Sequence, residues 1–175
     1  AIDKVEAYAD NNTNTVPALT DYSTAGVAGV TAANLADVNA AVDALVSGDV
    51  DTASEIQAIV DQVIADLAAA VAVVEAIDKI EAYADDNLNS VPIESDYSTA
   101  GVTGVTAANL ADVNAAVDAL VAGDVDTASE IQAIVDQVIA DLAAAAEVVV
   151  AIDKVEAYAD NNTNTVPALT DYSTA

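Results

Sequence analysis

The residues whose types and spacing best suit chemistry lie in "DNNTNTVPALTD". Asp10, Asn12 and Asn14 stand at loop positions 1, 3 and 5, with Asp21 at position 12. Asp85, Asn87, Asn89 and Asp96 repeat the spacing further along the chain. Oxygen donors at those positions are the ligand pattern of an EF-hand-like calcium loop. Three features oppose that chemistry. Thr15 or Ser90 replaces the glycine needed at position 6, position 12 holds Asp in place of a bidentate Glu, and Pro17 intrudes. The simpler expectation is that these Asp and Asn residues end one helix and shape the turn before Pro17. On that reading no cofactor is expected.

Other chemistry finds few carriers. The 175 residues include neither His nor Cys, which removes the common general base and the thiol nucleophile. Ser residues fall in capping contexts such as "DYSTA" and "SEIQ", and the glycines form no phosphate-cradling pattern. No enzymatic activity is expected. The net charge of -27 opposes nucleic-acid binding, which needs basic side chains against phosphate. It equally opposes docking on anionic membranes. No run nears the roughly 18 consecutive apolar residues of a membrane span, so membrane insertion is not expected in this segment. "AIDKVEAYAD" has neither the basic start nor the apolar stretch of a secretory signal.

The elements that position these residues are helical. Thr52 with Glu55 three residues on is a capping-box pattern. From there Ile56, Val60, Val63, Leu67, Ala70, Val74, Ile77, Ile80 and Tyr83 recur at steps of three and four without Gly or Pro. This spacing predicts one helix from about Ala53 to about Asp85, roughly 50 Å long. Within it, "LAAAVAVV" is apolar all round, a pattern that predicts burial on every side by neighbouring helices or another chain. Thr31 predicts the start of a second helix carrying Leu35, Val38, Val42 and Leu45 inward and ending at Gly48. Pro17 suits the first turn of a short helix with Tyr22, stopped by Gly26. The tyrosines are expected as core anchors whose hydroxyls reach a polar partner. Lys4, Lys79 and Lys154 are expected in surface ion pairs.

The whole pattern recurs. "AIDKVEAYAD" opens at Ala1 and Ala151 and "AIDKIEAYAD" at Ala76, a period of 75 residues. The first two copies differ at 12 of 75 positions, and residues 151–175 repeat residues 1–25 unchanged. The domain expectation is repeat 1 over 1–75, repeat 2 over 76–150 and a partial repeat 3 over 151–175. The predicted fold class is all-α, with tandem 75-residue helical-bundle repeats joined by long shared helices in a spectrin-like rod. Because a predicted helix crosses each repeat boundary, the chain ends are expected to fall within a larger protein.

The signature "DYSTAGV.GVTAANLADVNAAV", followed by an acidic, Ala/Val-rich helix, resembles repeats of giant RTX-type and biofilm-associated bacterial surface adhesins. The resemblance implies an extracellular, cell-surface extender that holds a binding tip away from the cell. It carries no calcium site onto Asp10 or its neighbours, since the glycine-rich nonapeptide loops are missing. The expected function is therefore a structural stalk of an adhesin or fibre, whose partners are neighbouring repeats of the same chain. Two alternatives remain. One is a self-assembling filament joined through Leu67 to Val74, and the other is a helical module that binds a partner protein.

Overall fold

Thr52 and Glu55 cap each other as their spacing predicts. The Glu55 amide donates to Thr52 Oγ1 at 3.3 Å, and the Thr52 amide donates to Glu55 Oε2 at 3.0 Å. Two of the orphan amides of a helix start are thereby satisfied. The helix that follows runs over Ala53–Asp85 in the computed structural model, which describes residues 1–174. Thr127 and Glu130 start a second 33-residue helix, Ala128–Asp160, in the same way.

The chain is all-α, with no strand among the described residues. In order the helices are α1 (Ile2–Asp10), α2 (Leu19–Thr24), α3 (Leu35–Asp43), α4 (Ala53–Asp85), α5 (Glu94–Thr99), α6 (Leu110–Asp118), α7 (Ala128–Asp160) and α8 (Leu169–Thr174). Short 3-10 turns at Ser47–Asp49 and Ala122–Asp124 precede the two long helices. α3 is shorter than its pattern suggests. Thr31 precedes a turn in which Asn34 holds the chain, accepting from the Thr31 amide at 2.7 Å and donating to the Gly29 carbonyl at 3.0 Å. The helix ends at Asp43, and Leu45 instead closes a tighter turn onto Val42.

Gly26 stops α2 as expected. It has φ +83°, the left-handed region that an L side chain enters only at a cost. Gly26 donates to the Ser23 carbonyl and Val27 to that of Tyr22, which completes a Schellman stop. Val27 is then buried, so the stop also feeds the core.

Two compact units result, Ala1–Val71 and a second from Ala72 onward. The first gathers Val5, Ala9, Tyr22, Val27, Val38, Val42, Val50, Ile56, Val60 and Val63. The second gathers Ala76, Ile80 and Tyr83 with Tyr97, Val113, Val117, Val125, Ile131 and Val135, among others. Valine is the commonest residue of both cores, with one fully buried tyrosine as the largest side chain in each. Each buried Val is worth about 1.5–3 kcal/mol, so many small contributions must add up.

α4 supplies side chains to both cores, and its middle supplies none. Residues 64–71 are all exposed, and Val71 and Val74 each keep 56% of their surface in solvent. The expected burial of "LAAAVAVV" on every side is therefore corrected. The reason is one of length. Helices of nine and six residues cover about 14 and 9 Å, and they pack on the ends of a helix roughly 50 Å long. The corresponding stretch of α7, residues 139–147, is exposed as well. By length and composition α4 also matches a membrane-crossing helix, with a mean hydropathy of 1.7 over 18 residues. Uninterrupted apolar runs do not show this, because Asp61, Asp66 and Glu75 break them.

Candidate functional site

Asp10 ends α1, and its Oδ1 accepts from the Ser47 amide at 2.9 Å. Asn12 donates to Asp43 Oδ2 at 3.3 Å. Asn14 reaches back to the Ala7 carbonyl at 2.6 Å, capping the last turn of α1. Asp21 lies on α2, where Oδ2 accepts from the Ala18 amide at 2.7 Å and from Lys4 Nζ. The four residues thus share one helix–turn–helix corner but engage five different partners, none of them in common. Asn11 tightens the corner by accepting from the Thr13 amide at 3.0 Å, an Asx turn.

The second copy reproduces the arrangement. Asp85 accepts from the Ala122 amide at 3.1 Å and Asn87 donates to Asp118 at 3.2 Å. Asn89 donates to the Ala82 carbonyl at 2.7 Å. Asp96 accepts from the Ile93 amide at 2.7 Å and pairs with Lys79. Among the described residues, no three acidic side chains gather into a group that could hold a metal ion.

Electrostatics follow these bonds. The Lys4 ammonium, then the Ala18 amide, hold the Asp21 carboxyl below its usual range. Lys154 and the Ala168 amide do the same for Asp171, with the ion pair at 2.8 Å. At the start of α4 the shifts oppose one another. Glu55 pushes the Asp51 carboxyl up, while the Thr52 hydroxyl and then Asp51 hold Glu55 down. Asp126 and Glu130 behave alike. Asp51, Glu55, Asp126 and Glu130 are solvent-exposed, and Asp21 and Asp171 are only partly buried at the surface, so each pair contributes little to stability.

A buried polar network lies beside this corner. Tyr22 OH donates to Asn39 Oδ1 at 2.6 Å, and Asn39 Nδ2 donates to the Pro17 carbonyl at 3.0 Å. Tyr97, Asn114 and Pro92 form the same chain. Burial pushes both phenols, Tyr22 and Tyr97, well above their ordinary range. The expected polar partner of Tyr22 is thus an asparagine on the inward face of α3. Asn39 was missed in the sequence because Leu35, Val38 and Val42 alone satisfy the apolar spacing. The signal lay in its spacing, since Asn39 stands four residues after Leu35 and three before Val42, on the face they share.

Gln57 was missed as well. Its side-chain amide clamps the loop at Ala28, accepting from the Ala28 amide at 2.7 Å and donating to the Ala28 carbonyl at 3.2 Å. Gln132 holds Thr103 in the same way. The clamp draws the loop so close that a Cβ on Gly29 would stand 2.9 Å from Ile64 Cδ1. No buried side-chain polar atom lacks a partner among the described residues. The remaining candidate is the exposed apolar middle of α4, with Ile64, Leu67, Val71 and Val74 in solvent. No family model matches the chain, and no curated protein or solved structure is similar to it.

Proposed function

We propose that this chain is a structural extender, a stalk segment of an extracellular adhesin or fibre without catalysis. The single observation that carries the reading is the course of α4. Ile56, Val60 and Val63 serve the first core, Ala76 and Ile80 serve the second, and no Gly or Pro stands between them. Bending such a joint would break backbone hydrogen bonds, whereas a flexible linker bends at no such cost. This is the physical basis for proposing tandem helical-bundle repeats in a spectrin-like rod. The polar side chains at the Asp/Asn corner support the reading, since they tie helix ends together. The acidic charge would keep neighbouring stalks apart, most strongly at low ionic strength. The resemblance to repeats of biofilm-associated surface adhesins points the same way and suggests the cell surface as the location.

Small-angle scattering on chains of increasing repeat number tests the proposal. An extender requires the maximum dimension to rise by a fixed increment with each added copy. Growth of the radius of gyration with roughly the 0.38 power of length, as in compact domains, would contradict it.

One observation favours a second reading. Ile64, Leu67, Val71 and Val74 are exposed together, and a filament or a helix-binding partner could use them. Sedimentation at increasing concentration separates the two, because a filament subunit associates and an isolated stalk stays monomeric.

A further inference from the structure

Ile64, Leu67, Val71 and Val74 follow one another at steps of three, four and three, so they line one stripe of α4 over roughly 15 Å. Ile56 and Val60 stand earlier on the same line and are fully buried in the first core. The stripe thus continues a face that already packs against other helices, but it continues bare. Its four side chains keep 38–56% of their surface in solvent. Neither end of the chain accounts for this. A full 75-residue repeat follows α4 and another precedes α7, yet residues 64–71 and their counterparts 139–146 are all exposed. A covering element from the next repeat would have reached α4, and one from the previous repeat would have reached α7.

Charge decides which partner fits. Between Asp61 and Glu75 the helix carries one charge, Asp66, which stands about 100° round from Leu67. The other flanking residues include alanines at 65, 68, 69, 70 and 72, which let a second helix come close. A basic partner finds its complement elsewhere on a chain of net charge -27, not on this stripe. A second copy is repelled over most of the surface and meets no like charge on the stripe itself.

We propose that α4 pairs with α4 of a second copy through this stripe, the two helices crossing at Leu67 and Val71. They cross, and do not run side by side, because the first core already covers the same face as far as Val63. Area limits the strength. Four partly exposed side chains bury on the order of a few hundred Å² per copy, against about 800 Å² in a standard interface. The pair is therefore weak, and it tightens as salt screens the acidic repulsion. The stripe recurs every 75 residues, so weak contacts add along longer chains. The inference narrows the second reading to one partner and rests on the same exposed residues, whereas the extender reading does not depend on it.

The test places single cysteines in the full chain, which has none of its own. Each variant also carries Leu142→Asp, which disables the corresponding stripe of α7. Under mild oxidation in molar salt, Val71→Cys should form a disulfide-linked dimer at least about tenfold faster than Ala69→Cys, because pairing raises the local thiol concentration. Ala69 is exposed as well but lies on the opposite side of the helix. Sedimentation of the Leu142→Asp chain should show a monomer–dimer equilibrium that strengthens with salt and is lost on adding Leu67→Asp. Leu67 lies outside both cores, and circular dichroism checks that its variant keeps the helix. Equal cross-linking at the two positions would overturn the proposal, and so would a chain that stays monomeric up to millimolar concentration in molar salt. Assembly beyond a dimer would overturn the pair in favour of an open filament. None of these results would touch the scattering test of the extender.

Discussion

Residues 1–24 and 151–174 are the same words in two settings. Both form a helix end, an Asx turn and a capped short helix, and both keep the Lys–Asp pair. Only the first is sealed. Val5 is buried and Val155 half-buried, and the contrast at Tyr22 and Tyr172 is larger. The comparison separates two sources of structure. Capping, turns and the ion pair are local and need nothing further along the chain. Burial depends on α3 and the start of α4, which among the described residues pack on the first region. The local part sets the shape of the corner, and the non-local part supplies most of the stabilisation.

The sharpest way to break this comparison is to truncate the two tyrosines. Tyr22→Ala should cost about 3–5 kcal/mol, as for other large buried aromatics, while Tyr172→Ala should stay within about 0.5 kcal/mol. Urea unfolding of the two variants measures the difference, and equal losses would refute the account. Asn39→Ala comes next. It leaves the Tyr22 hydroxyl and the Pro17 carbonyl without their buried partner, at about 1–3 kcal/mol. The same measurement checks it, and a neutral variant would show that the network is dispensable.

Gly29 probes the cover itself. At φ +84°, with Ile64 in the way of any Cβ, Gly29→Ala should destabilise by about 1–2 kcal/mol. Gly26 has a similar φ but open space around it, so Gly26→Ala should cost less. Thermal unfolding of the two variants ranks them.

Proton titration should show the two regions behaving alike. Lys4 and Lys154 hold their partner carboxyls down. The stabilisation from Asp21 and Asp171 is therefore complete above the unfolded carboxyl range, and it fades as pH falls through their lowered values. Asp51 and Asp126 carry the opposite sign. Their raised values add stability at low pH that is lost as pH rises through them. In carboxyl NMR titrations, Lys4→Ala and Lys154→Ala should move Asp21 and Asp171 upward by similar amounts. Unequal shifts would mean that the cover, and not the local pair, controls the carboxyl. The smallest expected effect is that of calcium. The corner residues already bind helix ends, so millimolar calcium should leave the melting temperature and the Asn12, Asn14, Asn87 and Asn89 amide signals unchanged.

The same division explains what could be read from the sequence. The bounds of α4, the Thr52–Glu55 cap and the Gly26 stop all follow from residues within a few positions of one another. Each was legible. The bond from Tyr22 to Asn39 and the clamp from Gln57 to Ala28 depend on which element lies opposite, and spacing along one helix does not carry that. The exposed middle of α4 escaped for a related reason. An apolar seam shows what a helix offers, whereas burial depends on whether its short neighbours reach that far.

α4 carries the central claim, and it can be measured directly. The chain has no cysteine, so Ser54→Cys and Ala82→Cys introduce the only two thiols, both at exposed positions of one helix. Spin labels there report the backbone separation by pulsed dipolar spectroscopy. A continuous helix predicts a narrow distribution around roughly 42 Å, from 1.5 Å per residue. A broad distribution, or a main population below roughly 30 Å, would mean that α4 bends in its exposed middle and would contradict the proposed stiff joint.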